Sequence, residues 1–259
     1  MKINNISREL LLSVYIRLPL LVSLPLNLPM YFRLSGSELR LLLREWYHNF
    51  RVLGFPTPQN PGMPGLNQGS KQWILFKLID RAIALCREQG ESIKGVELFC
   101  ADGFYANYAV QRGAESVMGI DNDTYQQDKA RLITKLLHNE GKISFAERDV
   151  FDLPDSYDFC ICAGGLYHLS NPSDLLKLLR ESIHTALVIQ TVYSLAIEAE
   201  DYFETPAPHW TWGCRFSHLY LLQMVTDCGW EILESHTNEL KGNKRPEDRG
   251  SAYLLCVPE

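Results

Sequence analysis

Glu97, Gly103 and Asp121 pose the chemical question of this chain. Glu97 stands in an apolar run, 96–100, that suits a buried parallel strand, and Gly103 punctuates a tight turn. Residues 105–112 can form a short helix, with Gly113 where such a helix would stop. A second apolar run, 116–120, then ends in Asp121. A carboxylate at the tip of a second strand can accept hydrogen bonds from both ribose hydroxyls, while the turn after the first strand lets backbone approach the ligand. Glu97 and Asp121 are 24 positions apart, close to the roughly 20 expected of a nucleotide-binding βαβ unit. The alternative is an α/β unit that holds no ligand.

The turn also discriminates between nucleotides. A dinucleotide fold requires Gly-x-Gly-x-x-Gly, and the corresponding positions here hold Phe99, Ala101 and Gly103. Pyrophosphate needs close backbone approach and a free helix N-terminus, which bulky Phe99 obstructs. A ligand without phosphate, such as S-adenosylmethionine, demands less. The order of acidic strand end, small residue and Asp102-Gly103 resembles the first motif of class I methyltransferases, Asp/Glu-x-Gly-x-Gly-x-Gly. Glu97 and Gly103 are kept, while Phe99 and Ala101 replace the first two glycines. The resemblance implies that Glu97, Phe99, Cys100, Ala101, Asp102, Gly103, Asp121 and Asn122 face S-adenosylmethionine. Asp149-Val150-Phe151 resembles that family's adenine pocket, and Ala163 with Gly164 would close the cofactor site.

These residues need a frame to position them. Runs 142–147, 157–163 and 186–192 read as three further strands, with a helix opening at Asn171-Pro172-Ser173. Ser217 caps a helix through Asp227, and 230–234 with 251–257 supply two last strands. This rhythm predicts an α/β fold: a Rossmann-like, doubly wound, mostly parallel seven-stranded sheet with helices on both faces. Three segments follow: an apolar extension over 1–45, a helical cap and cover loop over 46–94, and a nucleotide-binding domain over 95–259 with an insertion at 194–216. Residues 37–50 read as a helix with Leu39, Leu42, Leu43, Trp46 and Phe50 on one side. Residues 55–69, with four prolines and three glycines, read as a loop ahead of a helix from Lys71 to Gln89.

A narrower resemblance rests on Trp46-Tyr47-His48-Asn49-Phe50, Thr57, Lys71 and Gly164-Gly165-Leu166-Tyr167-His168. Together these look like the methyltransferase branch that contains the tRNA wobble-uridine carboxymethyltransferases and many relatives of unassigned substrate, over residues 46–257. The resemblance implies that Lys71, Tyr167 and Arg249 face cofactor or substrate. Tyr167 and His168, at the edge where cofactor and acceptor meet, are the catalytic candidates. Backbone bonding is the other role open to His168, whose reference pKa lies near neutrality. Tyr47, His48, Trp210, Trp212 and Arg249 are substrate candidates, the tryptophans as an aromatic wall after strand five.

Bulk properties bound the partners. The 259 residues are 46% hydrophobic, enough for one substantial core, and carry a net charge of −6. That balance disfavours a sequence-independent grip on nucleic acid, although Lys241, Lys244, Arg245 and Arg249 lie close together. Seven cysteines without a regular framework point to reduced thiols and a cytoplasmic protein, and Cys160-x-Cys162 inside a strand to core packing, so no metal site is expected. The apolar run 10–32 contains Arg17 and prolines 19, 25 and 29, which argues against a spanning helix, and no convincing cleavage site marks it as a secretory signal. A packed cap, an interfacial anchor and an extension upstream of Met30 stay open for it. The expected function is methyl transfer from S-adenosylmethionine to an O or N nucleophile of a small molecule. Alkylation of a tRNA wobble uridine is the close alternative, and a catalytically silent nucleotide-binding partner subunit is the alternative of another class. An NAD-dependent oxidoreductase comes last.

Overall fold

Alternation along the strands explains how one sheet divides the molecule. In β4, Tyr157–Ala163, the side chains of Phe159 and Ile161 enter one apolar cluster and those of Cys160 and Cys162 the other. Successive strand residues point to opposite faces, and a strand covered on both sides reads as a continuous apolar run. The computed structural model describes residues 34–90 and 93–259. The apolar run 10–32, with every reading placed on it, lies outside the described residues.

The sheet has seven strands in the order β3-β2-β1-β4-β5-β9-β8. β1 (Lys94–Leu98), β2 (Ser116–Asp121), β3 (Ile143–Glu147), β4 and β5 (Ile183–Tyr193) are parallel. β9 (Gly250–Pro258) runs antiparallel to both β5 and β8 (Trp230–Glu239). Helices α2 (Met63–Glu88), α3 (Phe104–Gln111) and α4 (Thr124–Leu136) cover one face; α5 (Pro172–Ser182) and α6 (His218–Asp227) cover the other. The doubly wound fold is therefore as the sequence predicts. After β3 the chain crosses to the other side of β1, so the connections diverge between β1 and β4. A crevice opens there at the carboxyl ends of the strands, where ligands bind in such sheets.

The predicted helix over 37–50 is shorter: α1 spans Gly36–Leu42, capped by a Ser35–Glu38 capping box. Trp46 instead forms a bridge with Gln59, donating to the Pro58 carbonyl at 2.8 Å and accepting from Asn60 at 2.9 Å. Trp46 and Phe50 are buried as expected, whereas Leu39 and Leu43 are exposed, because tertiary pairing overrides the helical period. The opposite correction applies to the presumed loop over 55–69. α2 begins at Met63, with Pro64 in its first turn, where proline's missing N–H costs nothing. Gly65 serves close approach: a Cβ there would lie 1.9 Å from the Asn60 carbonyl oxygen. The insertion carries only a two-stranded ribbon, β6 (Phe203–Glu204) with β7 (Arg215–Phe216).

Candidate functional site

A cavity of about 550 Å³ opens at the carboxyl ends of β1, β2 and β4. Its floor is the turn between β1 and α3, where Phe99, Ala101 and Gly103 have φ of 55°, 43° and 71°. Left-handed backbone at two residues with a Cβ is held by contacts on each side. The Ala101 N–H donates to Asp121 Oδ2 at 2.8 Å, and the Asp123 N–H donates to Asp121 Oδ1 at 2.9 Å. Each Asp121 oxygen thus keeps further acceptor capacity, and the residue lines the cavity. Phe99 stands where the family pattern has glycine, and its ring occupies the space beside Gly165, where a Cβ would lie 1.9 Å away. The bulk gained at one position is accommodated by the glycine at the other.

Glu97 is buried beneath the turn and accepts from the Ala106 N–H at 2.8 Å, while burial pushes its carboxyl well above the usual range. In the segment expected to hold adenine, Asp149 Oδ1 accepts from the Phe151 N–H at 2.9 Å. Asn122 and Val150 line the cavity with Asp149, as do Cys100, Ala163 and Gly164.

The opposite wall comes from the cap and the start of α2: Tyr47, His48, Met63, Pro64, Asn67, Gln68 and Lys71. Lys71 is buried without any hydrogen-bond or ion-pair partner among the described residues, and burial lowers its ammonium to about 8. Its Nζ and Gln190 Oε1 converge on Gly164, where an added Cβ would lie 3.7 Å from each. Gln190 donates through Nε2 to Ser251 Oγ at 2.9 Å, which leaves Oε1 buried without a partner. The Tyr105 hydroxyl, on the same cavity, is likewise buried and unpaired. Unpaired buried polar atoms are costly, so their convergence marks a surface built for a polar ligand. Gln190 escaped the sequence reading, although a glutamine inside the apolar run 187–192 is a detectable signal. Asn67, Gln68 and Tyr105 carried none.

Tyr167 and His168 follow β4 on the cavity wall. Burial pushes the Tyr167 hydroxyl up to about 12, so it remains a proton donor, and the Arg215 guanidinium lies 5.2 Å over its ring. His168 is lowered to about 4 by burial, then by the Arg215 and Lys71 charges. At neutral pH it is an uncharged ring of low basicity, which weakens the expectation of a general base there.

Six sequence candidates lie off the cavity lining. Asp102 turns away to His48, and Gly103 backs onto the Phe145 ring, within 2.8 Å of where its Cβ would stand. Phe151 is exposed rather than stacked in the pocket. Trp210 and Trp212 are exposed on the rim; Trp212 stacks on the His168 ring (5.0 Å between centroids, 7° between planes), so it backs a cavity residue instead of forming the wall. Arg249 is drawn to Glu239, Nε to Oε2 at 2.9 Å. Of the remaining basic cluster, Arg245 pairs with Asp248, which also accepts from buried Arg215 at 2.6 Å, while Asn67 ties down only the backbone carbonyl of Lys241, at 2.9 Å. All seven cysteines are buried free thiols.

Comparison with known proteins agrees with this geometry. A family described as "Methyltransferase domain" matches residues 72–235, more than half of the chain. The chain is 27% identical over 99 residues to the tRNA U34 carboxymethyltransferase of Helicobacter pylori (strain Shi470), covering 36% of this chain and 38% of that protein. It is 28% identical over 101 residues to the protein of the same name from Shewanella pealeana, covering 38% and 31%. The chain thus spans well under half the length of the curated relatives it matches. Among solved structures, magnesium protoporphyrin IX methyltransferase from Synechocystis PCC 6803, with bound S-adenosylmethionine, shares the fold at a TM-score of 0.58 and 16% identity, over 81% of this chain and 89% of that one. A doubly wound sheet, an acid at the tip of its second strand and the match over residues 72–235 all agree: the chain belongs to the methyltransferase-domain family, the S-adenosylmethionine-dependent methyltransferases.

Proposed function

We propose that this protein transfers a methyl group from S-adenosylmethionine to an oxygen or nitrogen nucleophile of a small molecule. The observation that carries this reading is the enclosure of the strand ends. The cap and the first turns of α2 close over them and leave a cavity of about 550 Å³, which Tyr167 and Lys71 line together with the cofactor candidates Asp121 and Asp149, a volume in the range of small-molecule sites. Asp121 holds the ribose, Asp149 reads the adenine amine, and Glu97 supports the turn beneath the methionyl group. In the transfer, a lone pair of the acceptor attacks the methyl carbon as the carbon–sulfur pair returns to sulfur. The acceptor's proton leaves to solvent or a nearby base. The methyl is already activated, so alignment and exclusion of water supply most of the acceleration, of the order of 7–11 kcal/mol in favourable model systems. Tyr167, protonated at neutral pH, can donate to the acceptor, and Lys71 suits an anionic group on the bound ligand.

Binding of S-adenosylhomocysteine by calorimetry, then a screen of candidate acceptors with methyl-labelled S-adenosylmethionine, tests the reading. Asp149→Ala should weaken S-adenosylhomocysteine by about 1.5–3 kcal/mol, the worth of one hydrogen bond to a charged acceptor, and should admit the inosine analogue that lacks the amine. Equal discrimination between the two nucleosides by mutant and parent would remove Asp149 from the adenine site.

A second reading, alkylation of a wobble uridine in tRNA, is favoured by the names of the curated relatives and by unpaired Lys71, which would also suit a carboxylated cofactor. Against it stands the charge. Of the four clustered basic residues, Arg245 and Arg249 are engaged by Asp248 and Glu239. A tRNA enzyme should lose about 0.7–0.9 log units of affinity per log unit of salt for each phosphate contact. The expected result is no salt-sensitive tRNA binding tighter than about micromolar at physiological ionic strength, a level set by electrostatic contacts. Submicromolar binding abolished by Lys241→Ala with Lys244→Ala would promote the tRNA reading.

A further inference from the structure

His48 and Asp102 form a buried pair that the methyl-transfer scheme does not use. Asp102 is fully buried, and both of its carboxylate oxygens accept from one residue: Oδ2 from the His48 backbone N–H at 3.0 Å and Oδ1 from His48 Nδ1 at 2.6 Å. The same imidazole lies flat on the Phe104 ring, with centroids 4.3 Å apart and planes within 2°, and its Nε2 is 3.1 Å from the Gln68 side-chain amide. His48 therefore grips the chain on both sides of Gly103. It does so from the cap, 54 residues away from Asp102 in sequence.

We propose that His48 is a positioning residue of the cofactor site, which acts through Asp102 to hold the turn between β1 and α3 in its cofactor-binding form. The turn needs such a hold, because Phe99 and Ala101 sit in left-handed backbone that persists only when its surroundings over-determine it. One grip is Asp121 on the Ala101 N–H, but Asp121 must also serve the ribose. In the His48–Asp102 grip the carboxylate is free of any ligand duty, since Asp102, unlike His48, does not line the cavity. Without the His48 side chain, Asp102 keeps only the backbone N–H of residue 48 on Oδ2, and Oδ1 becomes a buried acceptor with no partner, a state relieved by moving the turn. A family motif that has lost its first two glycines is thus stabilised from outside the motif, by the cap.

The inference rests on the family's cofactor, and the parent protein's affinity for S-adenosylhomocysteine tests that premise separately. The latch is tested by the affinities of variants relative to the parent, and by hydrogen exchange of the backbone amides over residues 99–104. His48→Ala should lower affinity at least about tenfold and speed exchange across the turn, the result of leaving a buried carboxylate oxygen without its donor. His48→Asn keeps a donor in the position of Nδ1 but removes Nε2, so it should return affinity to within about threefold of the parent, as expected when the charge-assisted bond is restored. In an Asp102→Asn background, His48→Ala should add little, because the two act as one unit. Affinity in His48→Ala equal to the parent's would overturn the proposal. So would His48→Asn failing as badly as His48→Ala, which would assign the lost function to Nε2. If His48→Ala does not fold, the Asn variants and the exchange of residues 99–104 still decide it.

Discussion

Asp121→Ala should weaken S-adenosylhomocysteine by about 3–6 kcal/mol, since two charge-assisted hydrogen bonds to the ribose are lost at once. In calorimetry this is a loss of at least about a hundredfold in affinity. The structure adds a reason for the upper part of that range. Asp121 also accepts from the N–H groups of Ala101 and Asp123, so the mutation frees the turn after β1 as well as the ribose. Asp121→Asn, which keeps one acceptor oxygen, should fall between parent and Ala. Unchanged affinity in Asp121→Ala would remove the residue from the ribose site.

Lys71→Met should make the protein more stable and worse at its task. The ammonium is buried without a counter-charge among the described residues, and burial lowers it from 10.5 to about 8. A folded-state value below the unfolded one means that the folded protein disfavours the charged form. The penalty is therefore complete below about pH 8 and fades as pH rises from 8 toward 10.5, where both states lose the proton. At 1.36 kcal/mol per unit, the cost at neutral pH is about 3 kcal/mol. Lys71→Met should recover much of it, raising the urea midpoint at neutral pH with no change in m, and the gain should shrink in alkali. The same variant should lose affinity for any ligand bearing an anionic group near Gly164. A drop in stability at pH 7 would show that Lys71 has a counter-charge in solution, and a gain without loss of binding would leave it no functional part. A buried ammonium that costs stability and lines a cavity is a perturbed group of the kind that clusters at working sites.

The strand pattern and the nucleotide signals were legible in the sequence because they are local. β4 matches the predicted run 157–163, Ser217 caps α6, and Asp121 ends β2, each read from apolar runs, caps and turn residues alone. Such signals lie within a few residues of one another and need no knowledge of packing. The limits of α1 and α2 were not legible for the converse reason. Trp46 follows the helical period, yet its backbone pairs with Pro58 and Asn60, and Gly65 reads as a loop residue although it packs inside α2 against the Asn60 carbonyl.

Fold class, the family of the cofactor and the Glu97–Asp121 frame were determined by the sequence itself, through apolar periodicity and the spacing of two carboxylates. Which residues meet around the cavity was decided only by tertiary structure. Asp102 belongs to the cofactor motif by position, but a histidine 54 residues earlier turns its carboxylate away from the ligand. Arg249, which the resemblance placed toward ligand, pairs with Glu239 off the cavity, and Trp212 ends behind His168 instead of on the wall. Gln190 reaches the cavity because β5 neighbours β4, a pairing that spans 27 residues of chain between partnered positions 163 and 190. Hydrogen bonds and ion pairs act over a few ångströms of space, whereas the sequence orders residues only along the chain. The backbone scaffold therefore follows from local pattern, while the partners of each charged side chain follow from how distant segments pack.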